Sequence, residues 1–160
     1  MRRSPAPLRP RALAPIRRLP ELDYDVLDDL LGYNLRRAQV AMFLSFHEAT
    51  RGREITPPRF TALVIIGANP GLSQSTLGSV LGIARSGAMA LADWMVERKL
   101  VERRRRPNDG RAWGLHLTPP GERLVQRMRR RVVEEDRRRT AVLSARERNE
   151  LLRLLGKLAG

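Results

Sequence analysis

Residues 103–118 read "RRRRPNDGRAWGLHLT". Four consecutive arginines run into Pro107-Asn108-Asp109-Gly110, the residue types of a turn. Beyond it Trp113, Leu115 and Leu117 alternate with Gly114, His116 and Thr118, the two-residue period of a strand with one covered face. With Leu100 to Arg106 as the preceding strand, the segment predicts a β-hairpin. Strands alternate their faces, so Arg103, Arg104, Arg105 and Arg106 divide between the two sides of the sheet.

Upstream, Thr56-Pro57 signals a helix start, a Thr cap with Pro in the first turn, and the apolar run "PPRFTALVIIGA" predicts a buried helix ending at Asn69-Pro70-Gly71. Ser73 can cap the short helix "QSTLGSVL", which Gly82 interrupts, and a further helix is expected from about Ala84 to Arg98. Two short helices, a glycine-containing turn and then a hairpin make a winged helix-turn-helix. Outside this module, residues 22–49 carry Leu27, Leu30, Leu31, Leu35, Ala38 and Met42 at helical spacing, extended by Phe43 and Phe46, until Arg51-Gly52-Arg53 breaks the pattern. Thr118-Pro119 opens a helix expected to reach about Leu143. Its apolar stripe is Leu124, Val125, Met128 and Val132, and its Arg130/Glu134, Arg131/Glu135, Glu134/Arg138 and Glu135/Arg139 pairs suit a solvated face. Ser144 and Glu147 form a capping box before a last helix with Leu151, Leu154, Leu155 and Leu158 on one side. A small winged helix cannot cover both sets of end helices, so they are expected to pack on each other and on a second copy of the chain.

Composition sets the partners. The chain has 160 residues and a formal net charge of +14, with aromatic residues at only 4%, so aliphatic side chains must fill the core. The positive surplus calls for a polyanion. There are no cysteines, which removes disulfides and thiolate metal sites, and His47 and His116 are too sparse for a metal or catalytic cluster. No nucleophile–base pair and no glycine-rich phosphate loop stand out, so neither an enzyme nor a cofactor is expected. No apolar run approaches the roughly 20 residues of a membrane span. Residues 1–20, with six arginines, five prolines and no acid, read as a flexible basic arm or a passive tail and not as a secretory signal. The expected organisation is this arm, an N-terminal dimerisation helix at 21–50, the winged helix-turn-helix module at 56–118 and C-terminal dimerisation helices at 119–160. The overall class is mainly α with a small β-hairpin wing.

The residues "LGYNLRRA" at 31–38, "TPPRFTALVIIGANPGLSQSTLGSVLGI" at 56–83 and "VERRRRPNDGRAWGLHLTPPG" at 101–121 resemble the MarR family of transcriptional regulators. The last stretch holds the family's D-x-R wing signature as Asp109-Gly110-Arg111 and its L-x-L-T-x-x-G exit. The resemblance covers about residues 22–158. It implies a cytoplasmic, nucleoid-associated homodimer that binds double-stranded DNA at an inverted repeat, most often as a repressor. It also implies a small-molecule effector, often aromatic or phenolic, bound between the dimerisation helices and the DNA-binding lobe. An effector-independent architectural DNA binder and a basic RNA-binding protein are the alternatives.

The resemblance further implies site residues. Arg111 would enter the narrow minor groove from the wing tip, with Asp109 bracing it or serving only as a turn residue. Arg103, Arg104, Arg105 and Arg106 would reach phosphates. The second helix of the pair would enter the major groove by its N-terminal end, where Arg85 and Ser86 are polar, Gly87 permits close approach, and Met89 and Ala90 either meet thymine methyls or, for Met89, join the core. Ser73, Ser75 and Thr76 would bond phosphates, Ser73 being first of all a cap. The expected effector lining is Tyr33, Arg37, Phe43, Phe46, His47 and Arg59, an arginine among aromatics suiting an aromatic carboxylate, although such aromatics also suit a core. Two departures stand out. Gly87, Met89 and Ala90 replace the family's usual hydroxyl and arginine side chains. Lys99 replaces a glycine before the first wing strand, at a cost of roughly 1 kcal/mol if the backbone there is left-handed.

Overall fold

The computed structural model describes residues 14–50, 54–106 and 109–160, without the side chains of 106 and 109–112. A 3-10 helix at Asp25–Asp28 leads into α1 (Leu31–Thr50), α2 (Pro57–Ala68), α3 (Gln74–Leu81) and α4 (Arg85–Glu97). The antiparallel strands β1 (Val101–Arg106) and β2 (Asp109–Leu117) follow, then α5 (Pro119–Arg139) and α6 (Ala145–Ala159). Most of the proposed basic arm, 1–13, and the Arg51-Gly52-Arg53 break lie outside the described residues. No described helix is long and apolar enough to cross a membrane.

α1 begins nine residues later than its apolar spacing implies, at 31 rather than 22. The Asp23 carboxylate accepts a hydrogen bond from the Asp25 amide, and Asp25 sits at φ +47°, outside the right-handed helical region. Arg18 pairs with Asp28 at 2.6 Å and lies over Tyr24, fastening this segment beside the head of α1. α5 likewise ends at Arg139, short of Leu143, because Ser144 caps the next helix and residues 140–143 form the turn between them. The ion pairs on its surface differ from the four-residue spacing expected: Arg138 joins Glu135, three residues away, and Glu48 of α1. Arg138, first by its hydrogen bond, holds the Glu135 carboxyl below its usual range.

The core sits where α2, α3, α4 and the hairpin converge. Leu63, Ile66, Leu77, Met95, Val101 and Leu115 are fully buried, and Leu124 and Met128 of α5 close the cluster. Phe46 of α1 meets Phe60 of α2 with ring centroids 5.7 Å apart, joining the lobe to the long helices. Thr56 occupies the N-cap of α2 as its position suggests, but its hydroxyl makes no capping bond. Ser73 and Ser144 do cap, with the full box at Ser144 and Glu147.

β2 is the central strip of the sheet. β1 lies on one edge. On the other, Leu115 donates to the Leu72 carbonyl and accepts from the Gly71 amide, both at 2.9 Å. A Cβ on Gly114 would stand 2.7 Å from the Gly71 Cα, so the hairpin and the α2–α3 turn touch backbone to backbone.

Lys99 takes φ +55°, the left-handed conformation that a glycine would hold without a Cβ penalty. The position is kept because its carbonyl accepts the Thr118 hydroxyl and its amide bonds Val96. Lys99→Gly should therefore raise stability by roughly 0.5–1 kcal/mol. With about 2–4 °C per kcal/mol for a chain of this size, thermal melting should show a rise of one to a few degrees (on the order of that scale); an unchanged or lower midpoint would mean that the lysine stem makes compensating contacts.

The two ends of the chain carry unburied apolar faces. α6 buries no residue at all, leaving Leu151, Leu152, Leu154, Leu155 and Leu158 in solvent, and Leu22, Leu27, Leu30, Leu31 and Leu35 are exposed at the N-terminal side.

Candidate nucleic-acid interface

α4 is amphipathic about a boundary set by its small residues. Ala88, Ala92 and Met95 face the core, so Arg85, Ser86, Gly87, Met89 and Ala90 are turned outward. Met89 is 53% exposed, which corrects the expectation of a core methionine: the inward place is taken by Ala88, one residue and about 100° away. A Cβ on Gly87 would meet only Ile83, at 3.8 Å, so nothing in the fold requires glycine there. The N-cap of α4, Ala84, offers no side-chain acceptor, and the amides of the first turn have no side-chain cap.

α3 contributes a hydroxyl cluster. Ser73 Oγ accepts the Thr76 amide at 3.0 Å and lies 2.8 Å from Ser75 Oγ and 2.7 Å from Thr76 Oγ1. Between α3, the head of α4 and the wing lies an open concavity of about 690 Å³. Ser73, Ser75, Ser79, Arg85 and Met89 line it, and so does Trp113 of β2. Gln74, also in its wall, has a buried Nε2 without a hydrogen-bond partner.

The arginine run divides as the strand geometry requires. Arg103 and Arg105 share a face with Leu115 and Trp113, their cross-strand partners, while Arg104 lies on the other face with Glu102. Arg103 bonds Asp93 of α4 at 2.5 Å, which ties the wing to that helix and compensates the charge internally. Arg104 pairs with Glu102, and Arg105 lies over the Trp113 ring at 5.6 Å. The side chains of Arg106, Asp109 and Arg111 lie outside the described residues; the backbone carries 109–111 in β2, so the turn expected at 107–110 is shorter than its composition suggests.

The expected effector residues occupy three separate places. Arg37 lies 5.7 Å from the Tyr33 ring, which in turn neighbours Tyr24, and Arg37 Nε is buried without a partner. Phe46 sits about 14 Å beyond Arg37 along α1, at 1.5 Å per residue, packed on Phe60, with Phe43 half-buried on the same helix. His47 is exposed, and its carbonyl accepts the Thr50 hydroxyl. Arg59 is held elsewhere: it stacks on Trp94 at 3.9 Å beside Arg98, which also lies over that ring and binds Glu54 at 2.6 Å. Burial lowers the Arg59 pKa, and the neighbouring Arg98 lowers it further. A single chain thus brings Tyr33 and Arg37 together but not Arg59 with them. Sequence reasoning missed Trp113 as an exposed groove residue and missed the Asp93–Arg103 tie. The two-residue period gives a side chain's face but not how far along the strand the core reaches.

The MarR family model matches residues 54–112, the span from the start of α2 to the wing. A protein of Thauera aromatica named for transcriptional regulation of the hcr operon is 36% identical over 141 residues, covering 88% of this chain and 85% of the relative. The transcriptional repressor CouR bound to a 23-mer DNA duplex superposes with a TM-score of 0.82 at 35% identity, covering 88% of this chain and 99% of CouR. CouR bound to p-coumaroyl-CoA gives a TM-score of 0.77 at 34% identity, with 87% and 98% covered.

Proposed function

The chain belongs to the MarR family of transcriptional regulators, and from that premise we propose that it is a homodimeric repressor of an inverted-repeat operator. An aromatic acid or a derivative such as its coenzyme A thioester releases it. The observation that carries this reading is the pairing, on one short chain, of an exposed α4 head beside a basic hairpin with an α6 that buries nothing. The first fits duplex DNA, and the second fits another copy of itself. Two-fold symmetry then sets the paired helices about one turn of DNA apart, ~34 Å. Ser75 and Thr76 of α3 and the hairpin arginines other than Arg103, which Asp93 holds, supply phosphate contacts, and Arg111 takes the minor groove. The work is binding rather than turnover, and its place is with the chromosome.

The effector class is supported by CouR's p-coumaroyl-CoA and by Arg37, whose buried Nε lacks a partner beside the Tyr33 ring. A carboxylate or phosphate would supply that partner, and Phe43, Phe46 and His47 extend the same helix toward the lobe. Release then follows if the ligand binds better to a dimer whose recognition helices no longer fit successive grooves, by as much as its affinities for the two shapes differ.

DNase footprinting tests the operator. Twin, symmetric protection at physiological salt is expected, and diffuse or absent protection would overturn the reading. Arg85→Ala should cost about 1–3 kcal/mol at the preferred duplex, the value of one bidentate guanine contact, with a much smaller loss on random sequence. Equal losses on both in a titration would reduce Arg85 to a phosphate contact.

A further inference from the structure

The interface combines cationic side chains with exposed apolar ones. Arg85 and the hairpin arginines carry the charge, but Met89, Trp113 and Val80 are each more than half exposed, and Ile83 is more than a third exposed. Met89, Ile83 and Trp113 all line the concavity beside α4. An apolar patch held in water within a positive surround fits a partner that is anionic overall and apolar at one point. The edge of duplex DNA in the major groove has one such point, the C5 methyl of thymine.

The spacing on the helix makes this specific. Arg85 and Met89 are four residues apart and so lie one above the other on one face. Four residues rise about 6 Å, close to two base steps at ~3.4 Å each. Ser86 and Ala90 form the adjacent row, and Ala90 has only a methyl to offer. Below Arg85, the flexible thioether of Met89 is therefore the side chain with enough reach to select a base. Its adaptable, polarizable end suits a methyl group and offers no hydrogen-bond donor.

We propose that Met89 is a specificity-determining residue, covering a thymine methyl in each half-site about two base pairs from the base that Arg85 reads. The proposal rests on the operator-binding reading above. It makes half of the code on this helix an apolar contact, where a polar side chain would have read a hydrogen-bonding edge.

Deoxyuridine lacks only that methyl, so it isolates the contact. The full chain is used to select its preferred duplex from a random-sequence pool, and each thymine is then replaced in turn by deoxyuridine. One position per half-site should lose about fourfold in affinity, the value of one buried methyl-sized group, and replacing both should lose about sixteenfold. With Met89→Ala and with Met89→Gln the thymine and uracil duplexes should bind alike at that position. Both variants should melt near the parent, since the side chain is exposed. Equal binding of thymine and uracil at every position by the parent protein overturns the proposal. So does a thymine preference that survives in both variants, or a Met89→Ala loss that is the same on all sequences. A pool that yields no preferred duplex overturns the operator reading itself, and the proposal with it.

Discussion

Gly121→Ala should lose roughly 3–4 kcal/mol of folding stability, beyond the usual range for an added methyl. At about 2–4 °C per kcal/mol its thermal midpoint should fall on the order of 10 °C. The cause is a single close approach. A Cβ on Gly121 would lie 2.0 Å from the Leu100 carbonyl oxygen and 3.0 Å from its carbon, both backbone atoms with no rotamer to yield. The surroundings hold that carbonyl in place. Thr118 N–H donates to Leu100 O at 3.0 Å, the Thr118 hydroxyl donates to Lys99 O, and the Gly121 amide donates back to the Thr118 hydroxyl at 3.2 Å. Relief requires the first turn of α5 to move away from the start of the hairpin, which uncovers Leu124 and Val101. Calorimetry or urea titration of the purified variant checks it. A midpoint within about 3 °C of the parent, under 1–2 kcal/mol by the same conversion, would show that the junction is looser than its geometry.

Leu154→Glu should convert the protein into a single chain in solution and lower operator affinity by about 10²–10⁴, the advantage that linking two half-site contacts provides. Leu154 lies on α6 with Leu151, Leu155 and Leu158, and no residue of that helix is buried by its own chain. Covering one leucine stabilises by about 1.5–3 kcal/mol, and a carboxylate placed there must be desolvated without a partner. The helix itself should survive, because its capping box at Ser144 and Glu147 is distant and local. Sedimentation velocity reads the mass, circular dichroism the helicity, and a gel shift the affinity. A parent protein that sediments as one chain, or a variant that dimerises and binds as before, would show that these leucines are not the seam.

Much of the architecture was legible because it is written in local chemistry. The Ser73 cap, the left-handed Gly82 after α3, the capping box of α6 and the alternation of Trp113, Leu115 and Leu117 each depend on residues within a few positions of one another. The head of α1 was not legible, because aspartates there bond their own backbone and override an intact apolar spacing. The exit motif at 115–121 could be read as a pattern, but its reason, clearance for the Leu100 carbonyl, belongs to a neighbour 21 residues away. Within the interface, periodicity supplied which residues of α4 share a face, while the exposure of Met89 depended on Ala88 taking the place against Gly78 of α3. Arg59 was grouped with Tyr33 and Arg37 through the family resemblance. Its actual company, Trp94, Arg98 and Glu54, is a tertiary fact that no spacing encodes.

The meeting of Gly71 and Gly114 has a mechanical consequence. Leu115, next to Gly114, hydrogen-bonds Gly71 and Leu72 across this contact, and Arg103 is anchored to Asp93, so the base of the wing is fixed against the helices beside it. In the proposed dimer, a signal arriving from the long helices would swing this reader as one rigid head. The quantity under control would then be the stride between two such heads, rather than the shape of either.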